Sequence, residues 1–264
     1  MRVSSLYRYP LKGFSPERLS RVVLEAGAYF PGDRMFAVEN GPAGFDAASP
    51  MHQPKIKFLM LMRNGEIARL ETRYHNDTGQ LSICHEGREV VRGDLGTEAG
   101  RQAIAAFLAG HVSPEQLRGP LRVLVAPQGF RFTDSRDGFV SLINLASVAA
   151  LDEQLGAPVD PLRFRGNIMV EGLAPWQEFD LVGQVFEAAS GLKLRISKRI
   201  DRCAATAVDP QTGIRDLPVV KTLMSAYGHV DCGVYAEIIA GGTLAEGHRL
   251  MRAADEADIP LGLR

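Results

Sequence analysis

Hydrophobic and polar residues alternate in short runs along most of this chain, each run bounded by Gly, Pro or Asn, which is the pattern of half-buried β-strands. In the first quarter, residues 3–9, 21–25 and 35–39 read as strands. Residues 57–63 and 66–74 flank Asn64-Gly65, a pair that supplies both positive φ angles of a type I′ turn, so a hairpin is predicted there. A second hairpin is expected around His85-Glu86-Gly87. The period then becomes helical, with Ile104, Phe107 and Leu108 on one face, Thr97 as the expected N-cap and Gly110 as the stop.

Residues 111–120 carry Ser, Pro, Gln and Gly with little periodicity, and mark a boundary between a domain over 1–115 and one over 116–253; residues 254–264 read as a tail. Beyond the boundary, strands are expected at 121–126, 164–170, 185–188, 192–198, 204–208 and 234–240. Two helices interrupt them, over 144–155 stopped by Gly156 and over 217–227 stopped by Gly228. Strand and helix do not alternate regularly, which disfavours a doubly wound parallel sheet. The pattern predicts a β-rich α+β protein of two β-rich domains with few helices.

Composition narrows the function classes. The chain has 264 residues, a formal net charge of −1, 45% hydrophobic and 23% charged residues, so it can bury a core without staples. Near-neutrality gives no overall pull toward nucleic acid or an anionic membrane, so any anion must be met by a local cluster. The longest apolar run, residues 103–109, is far short of the ~20 residues a membrane span needs, and the start enters an alternating pattern with no apolar signal region. A cytoplasmic location is the expectation. Three cysteines, none in a Cys-x-x-Cys arrangement, exclude a disulfide framework and give no structural zinc pattern. The phosphate-loop, dinucleotide, zinc-protease and serine-hydrolase signatures are all missing.

Three segments carry candidate chemistry. In Lys198-Arg199-Ile200-Asp201-Arg202-Cys203, three cations flank a thiol and favour the thiolate, the form that attacks an electrophile or ligates a soft metal. The turn-forming Asp209-Pro210-Gln211-Thr212-Gly213 follows, placing Cys203 near a chain reversal. In Arg163-Phe164-Arg165-Gly166-Asn167, strand alternation would put both guanidiniums and the carboxamide on one face, suited to clamping a phosphate and a ring edge. Tyr9-Pro10-Leu11-Lys12-Gly13 and Gly32-Asp33-Arg34 place single cations beside turns.

Together these segments resemble the MOSC family, the molybdenum cofactor sulfurase C-terminal domain, in its form with an N-terminal β-barrel partner domain. The resemblance spans nearly the whole chain and includes Ser141-Leu142-Ile143-Asn144-Leu145-Ala146-Ser147 as well as the segments above. It implies a mononuclear molybdenum pyranopterin cofactor, with Cys203 as metal ligand and catalytic centre, and with Lys12, Arg34, Ser147, Arg165, Asn167 and Arg202 holding the pterin and phosphate. The activity implied is reduction of small N-hydroxylated compounds by oxygen-atom transfer. A separate protein of the ferredoxin or flavin reductase type would supply electrons, because the ferredoxin-like domain of some relatives is missing. An alternative of another class is a sulfur carrier that holds a persulfide on Cys203 and works with a pyridoxal-phosphate desulfurase. A cofactor-binding module without turnover is a third. Gly13 stands where relatives commonly have serine, and Gly166 where they commonly have proline.

Overall fold

The computed structural model describes residues 1–42, 44–134 and 140–253. The chain runs through β1 (Arg2–Arg8), β2 (Glu17–Leu19), β3 (Arg21–Leu24), β4 (Phe36–Asn40), β5 (Leu70–His75), β6 (Gln80–His85), β7 (Arg88–Asp94) and helix α1 (Glu98–His111). It continues through β8 (Leu121–Val125), β9 (Val140–Asn144), α2 (Leu145–Leu155), β10 (Ile168–Glu171), β11 (Val185–Ala188) and β12 (Lys193–Asp201). Helix α3 (Val219–Tyr227), β13 (Asp231–Ala240), β14 (Gly242–Ala245) and β15 (Leu250–Arg252) complete it. Strands dominate and three helices support them, so the fold is β-rich α+β.

The main sheet has eight strands in the order β15-β11-β12-β13-β9-β10-β1-β2. Its pairs are antiparallel except β9 with β10, which α2 connects as a crossover. No continuous ladder closes this sheet into a barrel among the described residues, but its ends approach each other. Leu250 N–H donates to the Met1 carbonyl at 2.9 Å and Val3 N–H to the His248 carbonyl at 2.8 Å. One face buries Val3, Leu6, Leu142, Ile196 and Val234; the other buries Ile143 and Met169 under α2 and α3 through Leu151 and Leu223. Strand β9 is covered on both sides, and all five of its residues are buried. A separate core lies in the N-terminal part, where α1 packs Ile104 and Leu108 against Leu70 and Ile83. Each such aliphatic side chain contributes about 1.5–3 kcal/mol on burial.

Thr97 caps α1 by accepting from Gly100 N–H at 3.1 Å, and Gly156 and Gly228 end α2 and α3 in left-handed conformations. The second hairpin is present, with Glu86 at φ 52° and Gly87 at φ 74°. Other expectations are corrected. Residues 57–63 are not a strand: Lys55–Lys57 and Gly65–Arg69 form 3-10 turns, and Asn64, at φ −110°, does not adopt a type I′ turn. Gly65 is glycine for a different reason, since a Cβ there would stand 2.5 Å from the Gly213 carbonyl oxygen. The strand expected over 164–170 begins only at Ile168, because Pro161–Phe164 forms a 3-10 turn capped by Asp160 and Arg165 turns left-handed at φ 52°. The strand expected over 204–208 is a 3-10 turn, Ala204–Ala207, held by Thr206 Oγ1 donating to the Cys203 carbonyl at 2.9 Å. Of the expected tail, residues 254–264 lie outside the described residues.

Candidate functional site

The main sheet and the N-terminal part face each other across a cleft of about 610 Å³. Eight Lys and Arg residues line it, against three Asp residues. Cys203 sits on its wall, half-exposed, in extended backbone where β12 ends and the Ala204–Ala207 turn begins. Cys232 is fully buried, and burial pushes its thiol up to about 12; Cys84 lies on the three-stranded sheet away from the cleft.

Arg34, Arg165 and Lys12 cluster in the cleft, and Arg202 stands beside Cys203. Arg34 and Arg165 both occupy left-handed backbone, at φ 47° and 52°, and both guanidiniums stack on the ring of Tyr9, at 4.9 and 4.3 Å. Left-handed φ in a bulky residue is costly and clusters at functional sites. Asp33 secures the arrangement: its carboxylate accepts from Tyr9 N–H at 2.7 Å and pairs with Arg34. Arg34 Nη2 donates to the Arg165 carbonyl at 3.0 Å, and Arg165 Nη1 to the Phe14 carbonyl at 2.8 Å. Arg165 Nη2 is buried with no hydrogen-bond partner among the described residues. Burial, reinforced by the Arg34 charge, pushes Arg165 down to about 10.

Arg202 donates from Nε to the Cys232 carbonyl at 2.7 Å and from Nη1 to the Phe164 carbonyl at 2.8 Å. Beside Cys203 its hydrogen bonds go to carbonyls, and burial lowers its proton affinity while Cys232, Tyr235, Cys203 and Asp201 oppose that. Lys12 reaches the Phe132 carbonyl at 2.9 Å and the carboxylate of Asp134; burial lowers its proton affinity and Asp134 opposes that.

Lys12, Arg34, Arg165, Asn167, Arg202 and Cys203 therefore line one cleft. Ser147 does not line it: in the first turn of α2, its hydroxyl donates to Glu178 at 2.8 Å and accepts from Trp176 N–H, also at 2.8 Å. Asn167 is spent internally, its Oδ1 accepting from Ser141 Oγ at 2.9 Å and its Nδ2 donating to the Tyr7 carbonyl at 3.2 Å. It ties β9, β1 and the Arg165 turn together. Arg163 does not share a strand face with Arg165; it is buried and paired with Asp209 at 3.0 Å and Asp216 at 2.7 Å. Of the cations flanking Cys203, Lys198 pairs in register with Tyr235 and lies over its ring, while Arg199 pairs with Val234 and stacks on Phe179.

Sequence reasoning missed Tyr235, Asp134 and the aromatic pedestal of Tyr9. Strand alternation around Val234 and Ala236 carried the signal for Tyr235, since it sets that side chain on the opposite face. Nothing local marks Asp134 as the partner of a lysine more than a hundred residues earlier.

Two β-rich parts thus enclose a cation-lined cleft with one partly exposed thiol on its wall. The MOSC domain family model matches residues 129–251 and the MOSC N-terminal beta barrel domain model residues 1–113, so the chain belongs to the MOSC family. It is 27% identical over 225 residues to a molybdenum cofactor sulfurase of Caenorhabditis briggsae, covering 81% of this chain and 30% of that protein. It is 25% identical over 256 residues to the mitochondrial amidoxime-reducing component 1 of Homo sapiens, covering 87% of this chain and 72% of that protein. The YUAD protein structure from Bacillus subtilis superimposes with a TM-score of 0.45 at 12% identity, covering 94% and 93% of the two chains. Among the described residues, no helix is long and apolar enough to cross a membrane, and no group of three or more His, Cys, Asp or Glu residues is placed to hold a metal ion by itself.

Proposed function

We propose that this protein binds a molybdenum pyranopterin cofactor through Cys203 and reduces N-hydroxylated compounds. The observation that carries the reading is the orphaned Nη2 of Arg165, buried in the same cleft as Cys203 and beside a second guanidinium. A buried guanidinium nitrogen without an acceptor is costly, and a bound phosphate would supply the missing acceptor. The residues fit the group: the same cleft offers a soft thiolate that would ligate the metal and a cluster of cations that would meet the phosphate.

Arg165, Arg34 and Lys12 would hold the phosphate, Arg202 would offset the negative charge that collects near Cys203, and Cys203 would ligate the metal. When bound, the cofactor supplies the two-electron redox chemistry of oxygen removal. Each turnover converts an N-hydroxyl compound, two electrons and two protons into the amine and water. A separate protein donates the electrons. The chain's own part is to orient the cofactor, with Tyr9 and Asp33 holding both arginines in place, and to leave one side of the Cys203 loop open to a small molecule.

The test is turnover of hydroxylamine or an amidoxime by molybdenum-loaded protein with a supplied reductant. We expect amine product from the wild type and at least a hundredfold loss in Cys203→Ala. Equal rates in the two proteins would contradict the reading.

A further inference from the structure

We infer that a strip of five cations along the lip of the cleft, Lys55, Lys57, Arg63, Arg118 and Arg215, is the docking surface for an acidic one-electron carrier protein. This rests on the reductase reading above and says where the electron donor of that reading binds.

A chain of contacts makes the strip continuous. Arg118 Nη1 donates to the Ile56 carbonyl at 3.2 Å, which sets its guanidinium against the turn that carries Lys55 and Lys57. Lys57 Nζ reaches the Pro42 carbonyl at 3.4 Å, one residue beyond Gly41, where a Cβ would stand 2.8 Å from the Arg118 carbonyl oxygen. Asn64, next to Arg63, is hydrogen-bonded to Gln116, two residues before Arg118. The Arg215 guanidinium donates to the carbonyls of Met62 and, at 3.1 Å, of Ala204, the residue after Cys203. Lys55 and Met62 line the cleft, so the strip follows its lip to the Cys203 loop.

Arg63, Arg118 and Arg215 are exposed, Lys55 and Lys57 half-buried, and none of the five is in an ion pair among the described residues. Lys57, Arg118 and Arg215 donate to main-chain carbonyls, which leave their charge in place. The same segments carry only the carboxylates of Glu66 and Glu115, and in the loop that carries Arg215 those of Asp209 and Asp216 are taken by Arg163. Elsewhere on the N-terminal part, Arg69, Arg92 and Arg101 each pair with a glutamate. A surface stripe of one sign attracts an oppositely charged partner over about a Debye length, roughly 10 Å at 0.1 M salt, and raises its on-rate. Encounters with electron carriers are small and brief, so this steering rather than buried area brings the partners together. Two reduced carriers, docking in turn, each give up one electron. With two protons from solvent, these convert the N-hydroxyl compound into amine and water and leave two oxidised carriers.

Two measurements on the full, molybdenum-loaded chain test the surface with flavodoxin, an acidic one-electron carrier, as probe. Oxidised flavodoxin should shift the amide resonances of residues 55–63, 116–118 and 213–216 at about 0.05 M salt and release them at about 0.5 M, where charges are screened within a few ångströms. In turnover of hydroxylamine, kcat/KM for reduced flavodoxin should fall about tenfold in Lys57→Glu/Arg118→Glu and stay near the wild-type value in Lys57→Arg/Arg118→Lys. The rate with photoreduced deazariboflavin, a small donor without net charge, should be the same in all three proteins. Absence of amide shifts, shifts outside the strip, equal shifts from single-stranded DNA, or an unchanged kcat/KM in the Glu variant overturns the surface. If wild-type protein reduces hydroxylamine with neither donor, the reductase reading fails, and the flavodoxin titration alone decides whether the strip binds an acidic protein.

Discussion

Arg165 carries its charge at the expense of folding. Its folded-state proton affinity lies at about 10, below the ordinary arginine value, because burial and the neighbouring Arg34 disfavour the cation. Between that value and the unfolded one, the unfolded chain binds more protons, so this contribution to stability rises with pH. Below about 10 both states are protonated and the full penalty remains. Arg165→Gln is therefore expected to stabilise the cofactor-free protein at pH 7 by about 1 kcal/mol, raising Tm by about 2–4 °C. The gain should shrink above pH 10, and the same variant should lose the cofactor. Scanning calorimetry at pH 7 and pH 10.5 checks this, and a lower Tm at pH 7 would contradict it. At this scale the sequence was informative where chemistry is local: a thiol beside cations, and a lysine and an arginine beside turns. It was silent where partners come from afar, as with Tyr9 beneath two arginines and with the Glu178 carboxylate that engages Ser147.

At the scale of elements, the loop after Cys203 is held from two sides. Arg163 grips it through Asp209 and Asp216, and Asp209 also accepts from the N–H groups of Gln211 and Thr212 at 3.0 and 2.7 Å. Gly213, at φ 73°, closes it against Gly65. Gly213→Ala combines a disfavoured backbone region with a clash against backbone, and should cost about 2–4 kcal/mol. It should also loosen the Cys203 loop, so that iodoacetamide alkylates Cys203 faster. An unchanged urea midpoint with unchanged alkylation would refute the close-approach explanation. The regular elements were legible because periodicity and caps report burial and backbone geometry directly. The three misassigned segments, at residues 57–63, 164–167 and 204–208, border the cleft. There 3-10 turns and left-handed residues aim side chains in ways that no alternation pattern encodes.

At the scale of the whole molecule, the two halves of the sequence share one structure. Strand β1, from the first few residues, lies between β10 and β2 in the main sheet and sends Val3 and Leu6 into its core. The cleft likewise draws Lys12 and Arg34 from one part and Arg165, Arg202 and Cys203 from the other. We place the division of the sequence near residue 115 and expect the parts to depend on each other for folding. A chain that starts at residue 116 would expose the β10 edge and leave a gap where Val3 and Leu6 belong. It should give collapsed amide dispersion in NMR, and adding residues 1–115 in trans should restore it in part. A well-dispersed spectrum from the shorter chain would contradict this. The class of fold was readable from the chain because strand-length alternation dominates it; the shared sheet was not, because pairing between residues more than a hundred apart leaves no local trace.

If this cleft holds a molybdenum cofactor through Cys203, elemental analysis of protein from a molybdenum-proficient host should find about one molybdenum per chain in the wild type and almost none in a folded Cys203→Ala protein. Metal-free wild-type protein carrying a persulfide on Cys203 would contradict it and support a sulfur carrier instead.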